Sequence, residues 1–306
     1  MESETRALLP AMMEARDRFM ELVDEIRPEL HRYCARMTGS VFDGEDVVQD
    51  TLAKAYFALG QMLQPPNLRP WLFRIAHNTA MDFLKRYERQ HVEPVAELPE
   101  RAALEDDGVD PLLVESALAA FTELPPVQRS ALILKDVLGQ SLDETAATME
   151  TSVGAVKAAL SRARTNIAST PRAPATQPPR LSEEKHAVLR RYVDFFNARD
   201  WNGLRDLLGA ESRLDVVSRV QQRMADAGYC DRYAKYLETG TIRAEAGIVD
   251  GVPAIAMFAP ESSTTPAYFI VLETEAGRIS LVRDFRYVPY IARDASYSPA
   301  GATSGP

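Results

Sequence analysis

The sequence predicts a multidomain chain in which two all-α units, a helical bundle and a helix-turn-helix, precede an α+β domain. Apolar residues recur at three-and-four spacing from Met12 to about Arg89 and again from Leu112 to Ala168, the period of helices with one buried face. Two stretches without that period, "EPVAELPERAALEDDGVDP" and "STPRAPATQPPR", separate the periodic segments. After Leu181, helical spacing gives way to runs rich in Val, Ile, Phe and Thr ("VPAIAMF", "AYFIVLE", "RISLVRDF"), the helix-then-strand order of an α+β fold. At 306 residues the chain exceeds one ordinary core and fits two or three domains, with three compact units expected.

The divisions fall at 12–92 for the bundle, 93–111 for an acidic linker and 112–169 for the helix-turn-helix. A Pro-rich linker follows at 170–180, then the α+β domain at 181–295 and a disordered tail at 296–306. The acidic linker has too few large apolar residues to offset the entropy of ordering it. In the second linker, the prolines remove amide donors and favour extended backbone. The tail "SYSPAGATSGP" is small and polar.

The formal net charge of −9 excludes a surface coated with phosphate-binding cations, so any DNA contact must be local. Cys34 and Cys230 are the two cysteines, and neither sits in a metal-ligand spacing, so no metal or cofactor is expected. The N-terminal "MESETRALLP" lacks the basic start and apolar run of a signal peptide, and no stretch is apolar for long enough to cross a bilayer. A cytoplasmic protein is expected.

In this acidic chain, "TSVGAVKAALSRARTN" carries no acid. As a helix it places Val153, Val156, Leu160, Ala163 and Ile167 on one buried stripe. Lys157, Ser161, Arg164 and Thr165 take the other side, with Arg162 on the flank. Ser152 suits the N-cap, and upstream Ser141 followed by Glu144 makes a capping-box pattern for a preceding short helix. Two short helices joined at "ETS" form a helix-turn-helix, whose second helix enters the DNA major groove. The run "LPPVQRSALILKDVLGQSLDETAATMETSVGAVKAALSRAR" resembles region four of bacterial extracytoplasmic-function sigma factors, with its Leu-Pro start, "G-x-S-x-x-E-x-A" first helix and "G-x-V-K" second helix. The resemblance implies recognition of the promoter minus-thirty-five element by Ser152, Lys157, Ala158, Ser161 and Arg162, with Arg164 on a phosphate. Ala159 departs from the family, which often has Arg there.

In "DGEDVVQDTLAKAYFAL" the residues Val47, Val48, Thr51, Leu52, Ala55 and Leu59 share a core-facing arc. Asp46, Gln49, Asp50, Ala53 and Phe57 take the opposite arc, where an aromatic beside acids suits a partner. The stretch resembles sigma region 2.2, "D-x-E-D-[LV]-x-Q-[ED]-T-[FL]", and by that likeness Asp46, Gln49, Asp50 and Phe57 face core RNA polymerase. "LRPWLFRIAHNTAMDFLKRYER" resembles regions 2.3 and 2.4. Its buried side is Leu72, Ile75, Ala76, Thr79 and Phe83, with Trp71 a core anchor at the helix start. Arg74, Asn78, Lys85, Arg86 and Arg89 would take the melted minus-ten strand, since strand capture needs cations along the backbone and donors that read an extruded base.

The segment "VLRRYVDFFNARDWNGLRDLLGAESRLDVV" resembles the start of a SnoaL-like domain, a curved sheet wrapped by helices into a cone with a pocket. Such folds host enzymes, ligand binders and interaction modules, so the fold alone assigns no activity. His186 and Asp284 are the candidate titratable groups. Tyr229, Tyr233, Tyr236, Tyr287 and Tyr290 are expected chiefly as core. The "DGGGR" and "NPDKL" motifs that often accompany a fused domain of this family are absent, the late stretch reading "RDFRYVPYIARDA". There Phe285, Tyr287, Val288 and Ile291 are expected as an exposed apolar end docking on the helical modules as a regulator.

The resulting expectation is a sigma factor without enzymatic activity, with core polymerase and promoter DNA as partners, a possible small-molecule ligand in the C-terminal domain, and no membrane association. The alternative is a SnoaL-type small-molecule enzyme or ligand sensor fused to a DNA-binding module. A third reading, a one-component repressor, leaves the N-terminal bundle without a use.

Overall fold

The computed structural model describes residues 14, 17–62, 64, 66–91, 118–169, 183–217, 222–225, 228–237 and 241–300. Both expected linkers and the last six residues lie outside these. The chain forms two compact units, Met1–Ala173 and Pro174–Pro306, rather than the expected three.

In the first unit, α1 (Arg27–Thr38) starts with a proline in its first turn and stops at Gly39, whose φ of 82° closes the helix in a left-handed cap. Helix α2 (Val41–Leu59) begins at Ser40, whose hydroxyl accepts from the Asp43 amide at 3.3 Å. The two helices cross closely at Gly44, where a Cβ would stand 2.6 Å from the Ala35 backbone. Val47, Val48, Thr51, Leu52 and Ala55 are buried, as their spacing predicts, and Leu59 is half-buried. Helix α3 (Leu68–His91) contributes Leu72, Phe73, Ala76 and Ala80 to the same core, against which Trp71 packs.

Among the described residues four further helices follow in the unit: α4 (Leu118–Thr122), α5 (Pro126–Leu132), α6 (Leu142–Thr148) and α7 (Val153–Ser169). A π-helical turn, Ile133–Val137, follows α5 directly. Phe121, Leu132, Ile133, Val156 and Leu160 join the bundle's core cluster. Bundle and helix-turn-helix therefore share one apolar interior.

Polar groups fix that junction. Tyr33 of α1, His77 of α3 and Ser130 of α5 form a buried triangle, with Tyr33 Oη to His77 Nδ1 at 3.0 Å, Tyr33 Oη to Ser130 Oγ at 2.9 Å and His77 Nδ1 to Ser130 Oγ at 3.0 Å. Arg129 donates to the carbonyls of Met37, Thr122 (2.7 Å) and Leu124 (2.9 Å). Burial brings the His77 imidazole down to about 4, only partly opposed by Glu150. As pH falls from about 6.5 towards 4, the unfolded chain takes up this proton before the folded one does. The unit should therefore lose stability across that window, by up to about 3 kcal/mol, and hold it fully above. Trp71 and Trp201 are the two tryptophans, one in each unit, so Trp71 emission during urea unfolding of a Trp201→Phe chain measures this. His77→Gln should flatten the pH slope; an unchanged slope would exclude His77 as its source.

The second unit opens with α8 (Glu183–Ala198) and α9 (Trp201–Leu207), and α10 (Tyr229–Leu237) follows the first hairpin. Its strands are β1 (Leu208–Val216), β2 (Gln222–Ala225), β3 (Arg243–Val249), β4 (Val252–Phe258), β5 (Tyr268–Glu275), β6 (Arg278–Asp284) and β7 (Tyr297–Pro299). The order is β2-β1-β6-β5-β4-β3-β7, with β1 and β6 parallel and the other pairs antiparallel. Val188, Leu189, Tyr192 and Phe196 of α8 form a core with Ile255, Met257, Ile270 and Val282 of the sheet. This is the α+β architecture that the sequence pattern predicts.

Two expectations are corrected here. The stretch from Ser296 is not wholly a disordered tail, because residues 297–299 pair with β3 in the register Gly247↔Pro299 to Val249↔Tyr297. Nor is the end of the domain an open apolar surface. Phe285, Val288 and Ile291 are fully buried, Ile291 on a short helix, α11 (Ile291–Asp294), that packs against β5. Only Tyr287 of the four expected docking residues is exposed, at 62%.

Candidate nucleic-acid interface and C-terminal pocket

The helix-turn-helix is fixed by its caps. At the start of α6 the Ser141 hydroxyl accepts from the Glu144 amide at 3.2 Å, and the Glu144 carboxylate accepts from the Ser141 amide at 2.7 Å. Ser152 caps α7 by accepting from the Ala155 amide at 3.2 Å. With Val156, Leu160 and Ala163 turned inward, Ser152, Lys157 and Ala158 are exposed, and Ser161 and Arg162 half-buried beside them. Ala159 is buried, so its position is one of core packing and lies off the exposed face.

Arg164 has a partner within the chain. Its guanidinium makes two bonds to Asp136, Nε to Oδ2 at 3.2 Å and Nη2 to Oδ1 at 3.1 Å, and the Asp136 side chain is nearly buried. A fork held this way ties α7 to the end of the π turn, and the side chain expected on a DNA phosphate has an internal structural task.

Arg74, Asn78, Lys85 and Arg86 are exposed on α3, whereas the Arg89 side chain lies outside the described residues. Asn78 Nδ2 donates to Glu150 Oε2 at 3.3 Å and Arg74 Nε lies 4.0 Å from Glu150 Oε1. Glu150 stands in the turn between α6 and α7 with a φ of 52°. A carboxylate thus occupies two of the side chains expected to take a DNA strand. Both partners of the Arg74–Glu150 pair are about half exposed, and such pairs contribute about 0–1 kcal/mol. Glu150→Gln should therefore raise the affinity of this face for a single-stranded DNA by no more than about fivefold. A larger gain, or a loss, in an anisotropy titration would refute this account of the contact.

On α2, Asp50 is exposed, Asp46 and Gln49 are half-buried, and Phe57 is 73% exposed. Gln49 donates to Glu45 Oε1 at 3.4 Å. Glu45 itself turns inward and pairs with Arg27 at 2.5 Å, both side chains buried.

The second unit holds a cavity of about 70 Å³. Leu214 and Val216 form its apolar wall, facing Tyr229, Tyr233 and Asp284, while Arg232, Arg286 and Tyr287 also line it. Asp284, at the end of β6, is buried; it accepts from the Tyr233 hydroxyl at 2.6 Å and from the Arg286 amide at 3.0 Å. Burial raises its carboxyl above the ordinary range, opposed by those two hydrogen bonds and by the guanidinium groups of Arg286 and Arg232. Tyr192 and Tyr229 are hydroxyl partners, and Tyr233 Oη lies 3.2 Å from Tyr268 Oη. Burial lifts the hydroxyls of Tyr192, Tyr229 and Tyr233 well above the usual phenol range. Tyr229 and Tyr233 thus serve as core and as pocket wall together. Tyr290 is half-buried away from the cavity lining, and the Tyr236 side chain lies outside the described residues. His186 is half-buried on α8 and does not line the cavity, so the two titratable groups singled out in the sequence do not converge there.

Among the described residues no cluster of His, Cys, Asp or Glu could hold a metal ion, and no helix is long and apolar enough to cross a membrane.

Comparison with known proteins accounts for the helical unit and reaches beyond it. Residues 22–90 match the Sigma-70 region 2 family and residues 115–167 match Sigma-70, region 4. The chain is 32% identical over 303 residues to the ECF RNA polymerase sigma factor SigG of Mycobacterium tuberculosis, covering 89% of this chain and 82% of that protein. It is 31% identical over 152 residues to the ECF RNA polymerase sigma factor SigE of Mycolicibacterium smegmatis, covering 48% of this chain and 59% of that one. Among solved structures, it is similar to the extracytoplasmic function sigma factor SigJ of Mycobacterium tuberculosis, at 19% identity and a TM-score of 0.35, over 88% of this chain and 97% of that one.

Proposed function

The chain belongs to the extracytoplasmic-function RNA polymerase sigma factors, and on that premise we propose how its surfaces divide the work of promoter-specific transcription initiation. The exposed face of α7, with Ser152, Lys157, Ala158, Ser161 and Arg162, reads the minus-thirty-five element. The supporting observation is a capped helix that is free of acids in an acidic chain and presents Ser152 and Lys157 outward. Arg74, Asn78, Lys85 and Arg86 on α3 take the minus-ten strand, joined by Arg89. Asp46, Gln49, Asp50 and Phe57 on α2 meet core polymerase. Each DNA contact is modest alone and gains from being presented together on polymerase, as an effective concentration. The protein acts in the cytoplasm.

The C-terminal unit regulates this activity in cis and takes a small-molecule ligand rather than turning one over. Burial raises the Asp284 carboxyl and the hydroxyls of Tyr192, Tyr229 and Tyr233 above their ordinary ranges, and a catalytic site of this type would also need a base within reach.

The test is run-off transcription by core polymerase loaded with the full chain or with a chain ending at Thr170. The cut is placed there because Val288, Ile291 and residues 297–299 are built into the second unit, so a shorter deletion would unfold it. Transcripts from one promoter family, altered in amount by the cut and lost on Lys157→Ala with Arg162→Ala, are expected. Equal output from both chains would overturn regulation in cis. Unchanged output from the double variant would overturn the assignment of α7.

A further inference from the structure

We propose that the cavity beside Asp284 binds a small organic carboxylate, whose charge is met by Arg232 and Arg286 and whose short apolar body lies on Leu214 and Val216. The proposal rests on the reading of the C-terminal unit as a ligand-binding regulatory module and names the ligand's chemistry.

Size is the first constraint. A water needs roughly 10–15 Å³ of such space, so about 70 Å³ admits a molecule of about five to seven non-hydrogen atoms. Charge is the second. Two guanidinium groups line the cavity against one carboxyl, and that carboxyl is the group burial drives towards its neutral form. An anion is favoured and an ammonium disfavoured, because guanidinium forks recognise carboxylates through paired, charge-assisted hydrogen bonds. Position is the third. Arg286 lies over the ring of Tyr233 at 5.4 Å and over that of Tyr287 at 5.9 Å, so its side chain is held between two aromatic faces. Its own backbone amide simultaneously holds Asp284. The oxygens of the Tyr233–Asp284 pair then offer an acceptor to a hydroxyl on the same ligand. Tyr287, exposed beside it, forms the outer rim of the cavity.

The probe is 2-hydroxybutyrate, titrated into the full chain at pH 7 by calorimetry, with neutral 1,2-butanediol and cationic 1-amino-2-butanol alongside. A molecule of this size should bind with a Kd of about 1 mM, and the diol and amine at least about tenfold more weakly. Arg232→Gln and Arg286→Gln should each weaken the acid by about tenfold, equivalent to 1.4 kcal/mol. Thermal melting shows which variants keep the fold, and Arg232, being exposed on α10, provides the variant least able to disturb it. No saturable binding of the acid, equal binding of the diol, or unchanged affinity in a folded arginine variant would each overturn the proposal. Saturable binding that leaves run-off transcription unchanged would overturn ligand control and leave the site standing. Absent binding with an effect of the Thr170 cut would overturn the site and leave regulation in cis standing.

Discussion

Glu45→Gln is expected to destabilise the N-terminal unit by about 3–5 kcal/mol, because it removes the charge opposite a guanidinium that is almost wholly buried. Arg27 and Glu45 are 3% and 0% exposed, their contact is 2.5 Å, and they join the first turn of α1 to α2. The cost comes from the partner left behind, since an uncompensated buried cation is far more expensive than the intact pair is favourable. Replacing both residues by apolar ones of similar volume should recover much of the loss, a comparison that separates charge from packing. Urea unfolding of the Trp201→Phe chain, followed by Trp71 emission, measures both. A midpoint unmoved by Glu45→Gln would show that the pair does not form. The acid belongs to the motif that resembles the polymerase-docking segment, yet its side chain faces away from any partner.

Phe57→Ala should weaken binding to core polymerase by about thirtyfold or more while leaving the unfolding midpoint in place. A ring that is 73% exposed contributes little to the folded chain, so a selective loss of binding isolates its role at the interface. Its ring lies edge-on to that of Tyr56 at 6.1 Å, on a helix face shared with Asp50. An aromatic anchor rimmed by polar groups is the arrangement in which one truncation removes a large part of an interface. Polymerase affinity that survives the change would move the docking surface elsewhere on the unit.

Elements with a strong period were legible before any coordinates. The buried stripe of α7, the inward face of α2 and the capping box at Ser141 each depend on local spacing, and local spacing is what a sequence displays. Side chains whose meaning depends on a distant partner were not legible. Arg164 looks like any cation on a DNA-facing helix until Asp136, on the preceding turn in space, takes its guanidinium. Arg129, His77 and Ser130 read as ordinary polar residues, and only the contact between bundle and helix-turn-helix reveals them as the junction. In "FRYVPYI" the apolar residues were visible but not their cover. Likewise, the pocket at Asp284 needed β6 and α10 side by side, since Tyr233 and Asp284 are 51 positions apart in the chain.

The three residues of β7 have a bearing on self-association. They occupy the outer flank of β3, where Gly247 allows the Tyr297 ring and the Ser298 backbone to approach; a Cβ at 247 would stand 2.5 Å from the Ser298 carbonyl oxygen. Without them, β3 would offer a row of unmatched amides and carbonyls, which is a template for strand addition by another copy. A few residues of unremarkable composition thus act as a stopper on that flank of β3.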